Sequence, residues 1–83
     1  MLILQLTNEE IELIKKYSPK HYIALEKTED GYELADEEYE AIALDVDSAI
    51  VRYGLTSDQD SLNDIGGKLQ LLYDKMYLQI IDQ

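Results

Sequence analysis

The chain has 83 residues and a net charge of −11, with 46% apolar and 30% charged residues. A chain of this length buries about 60–65% of its unfolded surface, so we expect one domain over residues 1–83. Its composition is typical of a globular protein rather than a disordered one, and no apolar segment approaches the ~20 residues of a transmembrane helix. The excess of acid disfavours direct binding to nucleic acid or to an anionic membrane.

The absence of cysteine excludes a disulfide framework, a thiolate metal site and a cysteine nucleophile. It suits a reducing compartment, and we expect a cytoplasmic protein. Residues 1–6 have neither the basic region nor the cleavage site of a signal peptide.

The first predicted elements are a strand and a helix. Leu2, Leu4 and Leu6 alternate and predict a strand over residues 2–6. Thr7 and Glu10 have the spacing of a capping box, which predicts a helix over residues 8–17. Ser18-Pro19 ends it, because the residue before proline is disfavoured in the α conformation.

A β-hairpin is predicted next. Residues 21–26 and 32–35 each place apolar side chains on one face, Ile23 with Leu25 and Tyr32 with Leu34. Asp30-Gly31 marks the turn. We expect a loop of four or five residues with Gly31 in the left-handed conformation.

Two long helices follow. The first is predicted to begin after Asp36 as its N-cap and to end at Tyr53, with Gly54 at C′. The second should begin between residues 57 and 61 and end near residue 81. Its expected N-cap is Asp58, Asp60 or Ser61. Its expected core stripe comprises Leu62, Ile65, Leu69, Leu72, Tyr73, Met76 and Ile80.

Two adjacent glycines interrupt this last helix. Gly66 falls on the predicted core stripe and would allow a close approach of the preceding helix. The alternative is a break into two short helices. A phosphate-binding loop is poorly supported, because no strand precedes Gly66-Gly67 and the flanking motif is absent.

The order of elements is therefore β-α-β-β-α-α. It predicts a small α+β domain in which a three-stranded antiparallel sheet packs against two long C-terminal helices.

Acidic residues concentrate in one stretch, because residues 26–47 contain ten acidic residues and one lysine. One interpretation is a surface that binds a basic partner. The other is a solvated face, in which acids of the first helical turns stabilise the helix dipole. The residues predicted to form the partner surface are Glu29, Asp30, Glu33, Glu37, Glu40 and Asp47.

A surplus of apolar side chains marks a second candidate surface. Leu44 and Val51 lie off the core stripe of the first long helix, and Leu71 and Leu78 lie nearly opposite that of the second. These four residues predict a self-association or partner surface. The alternative is that another part of the chain covers them. Three tyrosines are expected to reach an interface, Tyr22, Tyr32 and Tyr77.

The sequence offers no motif for catalysis. His21 is the only histidine, and we expect it on the surface at the start of a strand. Residues 58–64 resemble the start of a calcium loop, but Asn63 and Leu69 replace the required glycine and glutamate. We therefore expect no enzyme activity and no cofactor, metal or catalytic residue.

These features favour a small acidic protein-interaction module. It would inhibit or neutralise a basic protein by covering its surface, and a nucleic-acid-binding enzyme or a toxin fits as the partner. The alternative is a homodimeric structural or accessory protein without an inhibitory role.

Overall fold

The computed structural model describes residues 1–57 and 61–82. Its strands are β1 (Leu2–Leu4), β2 (Glu26–Thr28) and β3 (Gly31–Leu34), and its helices are α1 (Asn8–Tyr17), α2 (Pro19–Tyr22), α3 (Asp36–Tyr53) and α4 (Asp64–Ile81). The strands form an antiparallel sheet in the order β1-β3-β2. The predicted α+β fold with two long C-terminal helices is confirmed.

The capping box that begins α1 is confirmed. Thr7 Oγ1 accepts a hydrogen bond from the Glu10 backbone N–H at 3.2 Å, and the Thr7 N–H donates to Glu10 Oε1 at 2.8 Å. Lys75 Nζ lies 2.7 Å from the same carboxylate oxygen and links α1 to α4. Burial alone would raise the pKa of Glu10, but the hydrogen bonds from Lys75 and Thr7 and the Lys75 charge lower it below its usual 4.5.

Strand β1 is shorter than predicted and ends at Leu4. The backbone of Gln5 bonds to a side chain of α4 instead of a neighbouring strand. Its N–H donates to Gln79 Oε1 at 2.6 Å, and its carbonyl accepts from Gln79 Nε2 at 3.0 Å.

The predicted strand over residues 21–26 is wrong. Pro19 occupies the first turn of α2, where its missing N–H costs nothing, so this segment continues as a short helix. Ile23 is exposed rather than aligned with Leu25 on a strand. His21 lies half-buried in α2, not at a strand start, and its Nδ1 lies 2.7 Å from Glu38 Oε2.

The hairpin loop is also shorter than predicted. Thr28 pairs with Gly31, so only Glu29 and Asp30 connect β2 to β3. Gly31 has φ +138° and is not in the left-handed α conformation. A Cβ atom at Gly31 would lie 2.6 Å from the Leu4 carbonyl oxygen, so the turn requires glycine for space as well as conformation.

The two long helices have different caps from those predicted. Asp36 is the first residue of α3 and Ala35 is its N-cap, without a side-chain hydrogen bond. Asn63 caps α4, because its Oδ1 accepts from the Gly66 N–H at 2.8 Å. Ser61 is not the cap, and the candidates Asp58 and Asp60 lie outside the described residues.

Gly66 allows α3 and α4 to approach closely, as predicted, and α4 continues through Gly66-Gly67 without a break. A Cβ atom at Gly66 would lie 2.8 Å from the Gly54 Cα, where α3 ends. Gly54 is the C-cap residue rather than C′.

The core lies between the sheet and the helices. Its fully buried side chains include Leu4, Ile14, Ile42, Val46, Leu69, Leu72 and Met76. Leu62, predicted for the core, is 42% exposed and does not belong to it. Over residues 1–57 and 61–82, none of the helices combines the length and the apolar character needed to cross a bilayer.

Candidate partner-binding surface

The acidic stretch 26–47 is largely exposed. Seven of its ten carboxylates belong to exposed residues, and Glu33, Glu38 and Asp45 are half-buried. Over the described part of the chain, no lysine or arginine forms an ion pair with any of the ten. The lysine ion pairs of the described residues join α4 to α1 instead. Lys68 lies 3.3 Å from Glu9, and Lys75 pairs with Glu10.

Three carboxylates of the stretch have other partners. Asp36 Oδ1 lies 3.8 Å from the N-terminal ammonium group. Glu38 lies beside His21, and Asp45 Oδ2 accepts a hydrogen bond from Ser18 Oγ at 2.6 Å. None of these is a residue predicted to bind the partner.

The hairpin contributes two kinds of acidic site. Glu29 and Asp30 are exposed in its two-residue loop. Glu33 on β3 lies directly opposite Glu26 on β2. Successive side chains of a strand point to opposite faces of the sheet. Because Leu34, the residue after Glu33, is buried in the core, the side chains of Glu33 and Glu26 are on the face that points away from it. Like charges in this position destabilise a sheet, so the pair is an unfavourable arrangement in the isolated protein.

Helix α3 brings part of each predicted surface together on one face. Glu37, Glu40, Leu44, Asp47 and Val51 are all exposed and follow a 3-4-3-4 spacing, which places them in one stripe along the helix. We call this stripe the outer face of α3. Leu44 and Val51 are 67% and 66% exposed. The carboxylates therefore alternate with exposed apolar side chains instead of forming a purely charged surface.

A groove runs between α3 and α4 beside this face. Its volume is about 420 Å³, and it is lined by Tyr39, Glu40, Ala43, Leu44, Asp47, Tyr73 and Tyr77. We call it the tyrosine groove. Tyr39, Ala43 and Tyr73 are half-buried, whereas the other lining residues are exposed. The groove thus has a partly apolar floor and two carboxylates at its edge.

The lining of the groove includes the acidic residues Glu40 and Asp47 and no lysine or arginine among the described residues. Partial burial raises the pKa of Tyr39 above its usual 10.0, and the nearby Tyr73, Tyr77 and Glu40 raise it further. The phenol of Tyr39 is therefore protonated at neutral pH. A positively charged group would find aromatic rings and carboxylates within one small volume.

Leu71 and Leu78 lie in a different depression. They are 72% and 58% exposed, and they line a space of about 550 Å³ together with Gln5, Asp74, Lys75, Gln79 and Asp82. Tyr77 and Leu78 differ by about 100° around α4, so this depression and the tyrosine groove are on different sides of the helix. Leu44 lines only the groove.

Basic side chains gather elsewhere. Lys16 and Arg52 line a polar cleft with Tyr17 and Tyr53, where the end of α1 meets the end of α3. Asp45 of the acidic stretch also lines this cleft, which lies along the second half of α3, whereas Glu37 and Glu40 are in the first half.

The tyrosine groove was not predicted from the sequence. Periodicity assigned Tyr73 to the core stripe of α4, and Tyr77 was the one tyrosine of the groove expected at an interface. The available signal was Tyr73 and Tyr77 one turn apart on α4, with the small Ala43 on α3. Which side chains would face each other depended on how closely the helices pack.

No protein-family model, curated protein or solved structure matches the chain.

Proposed function

We propose that this protein is a small acidic interaction module that binds the basic surface of a partner protein and inhibits or neutralises it by covering that surface. The partner class that fits is a nucleic-acid-binding enzyme or a toxin, because such proteins carry a basic surface for phosphate groups. The mechanism is occlusion and requires no catalytic residue. Its cysteine-free sequence suits a cytoplasmic location.

The observation that carries this proposal is the unneutralised acidic surface. The exposed carboxylates of α3 and the hairpin have no lysine or arginine partner among the described residues. Opposite charges on two proteins speed their association and exclude wrong partners. The apolar Leu44 and Val51 supply area that loses water on contact, which charge alone does not provide.

The opposed Glu26 and Glu33 provide further support. Their repulsion lowers the stability of the isolated sheet. A partner cation placed between them would remove that cost, so part of the electrostatic free energy becomes available on binding.

The test compares matched charge reversals in the partner complex. Glu37→Lys/Glu40→Lys alters the acidic surface, and Glu12→Lys/Asp64→Lys is the control. Each pair changes the net charge equally, and Glu12 and Glu40 are both the fifth residue of their helix. Partners captured from the native host would be purified, and each dissociation constant would be measured by calorimetry at low and moderate salt.

We expect the surface variant to bind about tenfold more weakly and the control to change little beyond the common charge effect. Binding should weaken with salt, because the Debye length is only ~10 Å at 0.1 M. Inhibition of the partner's activity should be lost in parallel. A complex that is insensitive to both salt and charge reversal would refute the proposal.

Homodimerisation is the second candidate function, and exposed Leu71 and Leu78 with Ile81 on α4 favour it. These three residues follow a 7-3 spacing along one side of the helix. In sedimentation equilibrium, Leu71→Gln/Leu78→Gln should dissociate a dimer, whereas Leu44→Gln should not. A wild-type protein that stays monomeric at high concentration would exclude this candidate.

A further inference from the structure

The two walls of the tyrosine groove carry complementary chemistry. Glu40 and Asp47 on α3 are seven residues apart, which is about 10 Å along the axis and nearly the same side of the helix. Tyr73 and Tyr77 on α4 are one turn apart. Tyr39, on α3 next to Glu40, is half-buried and also lines the groove. Carboxylates on one wall therefore face a space that aromatic rings line on the other.

We propose that the tyrosine groove binds an arginine side chain that the basic partner presents, an inference that rests on the proposed function. A guanidinium group is planar, stacks on aromatic rings and donates paired hydrogen bonds to a carboxylate. It is also more weakly hydrated than an ammonium group, so it loses less on entering a half-buried groove. A lysine would act there only as a point charge.

The groove rings have no cation from within the described residues. The cation–ring contacts of the structure all lie outside the groove, with Lys15 over Tyr22 at 6.0 Å, Lys16 over Tyr17 at 5.3 Å and Lys27 over Tyr32 at 6.0 Å. Arg52, the only arginine of the chain, lies in the polar cleft at the far end of α3. Among the described residues, the rings of the groove are therefore left open to a cation from another molecule.

The size of the groove fits one side chain with its flanking backbone. Its volume of about 420 Å³ is within the ~300–1,000 Å³ of ordinary ligand sites. Leu44 borders both the groove and the outer face of α3, so a segment whose arginine entered the groove would lie over Leu44. An apolar residue beside the arginine would cover it.

The test is a titration of the whole protein with capped short peptides that differ only at a central arginine, lysine or citrulline, followed by amide chemical shifts. Citrulline has the shape of arginine without its charge. We expect shifts at residues 39–47 and 73–77, several-fold tighter binding of the arginine peptide than of the lysine peptide, and no binding of the citrulline peptide.

Matched variants locate the site. Tyr77→Leu and Asp47→Asn should each weaken binding of the arginine peptide at least about threefold. The controls are Tyr53→Leu and Asp74→Asn, which alter an exposed tyrosine and an exposed aspartate outside the groove. They should leave binding unchanged. Unchanged spectra elsewhere in each variant would show that the fold is retained.

Three results would overturn the inference. The first is equal binding of arginine and lysine peptides that Tyr77→Leu does not affect, which would mean unspecific charge attraction. The second is a set of shifts centred on Leu71 and Leu78. The third is the same groove shifts on raising the protein concentration without peptide, which would identify a second copy of this chain as the occupant.

The partner complex separates this inference from the function on which it rests. Glu37 belongs to the acidic surface but does not line the groove. A complex that Glu37→Lys weakens and Tyr77→Leu does not would leave the proposed function standing and remove the arginine site. A complex that resists salt and both substitutions would remove both.

Discussion

Gly66 and Gly67 provide a matched test of how closely α3 and α4 pack. A Cβ atom at Gly66 would lie 2.7 Å from the Gly54 carbonyl carbon and 2.8 Å from its Cα. Carbon atoms in contact are normally ~3.5–4.0 Å apart, and the Gly54 carbonyl oxygen would lie closer still, so Gly66→Ala forces the end of α3 away by at least about 1 Å. A Cβ atom at Gly67 would meet nothing within 4 Å.

The free energies of these two substitutions should have opposite signs. Overpacking at Gly66 costs ~1–3 kcal/mol. Displacing Gly54 also strains the hydrogen bond from the Asn63 N–H to its carbonyl, 2.8 Å long, which contributes ~1 kcal/mol. The better helix propensity of alanine returns up to ~1 kcal/mol. We expect a net loss of about 1–3 kcal/mol for Gly66→Ala and a gain of about 0.5–1 kcal/mol for Gly67→Ala.

Urea unfolding followed by circular dichroism measures both values. For m near ~1 kcal/mol/M, the midpoints of the two variants should differ by about 1.5–4 M. Gly54→Ala is a second variant of the same contact, since its Cβ would lie 2.6 Å from the Gly66 Cα. A Gly66→Ala protein as stable as the wild type would refute the close helix approach, and the position of the tyrosine groove with it.

Three further substitutions test other parts of the structure. Asn63→Ala should lower the free energy of unfolding by about 1–2 kcal/mol, as measured by urea unfolding. Asn63→Asp should lower it by less, because aspartate keeps the cap and loses only the amide hydrogen bonds to the carbonyls of Tyr53 and Leu55. Glu10→Gln should lower the free energy of unfolding by about 1–2 kcal/mol at neutral pH. Because folding lowers the pKa of Glu10, this difference should be present above about pH 4.5 and disappear as the pH falls through the folded-state pKa. A difference that does not depend on pH would contradict this prediction. Glu26→Lys should stabilise the sheet by about 0.2–1 kcal/mol through its pairing with Glu33, and thermal unfolding that shows a loss would contradict the repulsion.

Local sequence signals predicted the elements whose caps and periodicity are self-contained. The helix over residues 8–17 and its capping box depend on Thr7 and Glu10, which are three residues apart. The extent of α3 followed from a long amphipathic repeat. That repeat also separated the core residues from Leu44 and Val51, which the structure leaves exposed.

The sequence failed where the outcome depended on distant partners. Residues 21–26 had a β pattern, but β2 is only three residues long and is held by β3 alone. Strand β1 ends at Leu4 because Gln79, far along the chain, bonds to the backbone of Gln5. Neither interaction leaves a local signal.

By itself, the sequence determined the α+β class, the capped α1, the length of α3 and the concentration of acid over residues 26–47. The tertiary structure decided which of those acids lie beside apolar and aromatic groups. Glu40 and Asp47 border a groove with Tyr73 and Tyr77 because α3 and α4 pack against each other, with Gly54 close to Gly66 at one end of their contact. Helical periodicity fixes the side of a helix on which a residue lies, whereas the residues it meets there depend on the packing of the other helix against it.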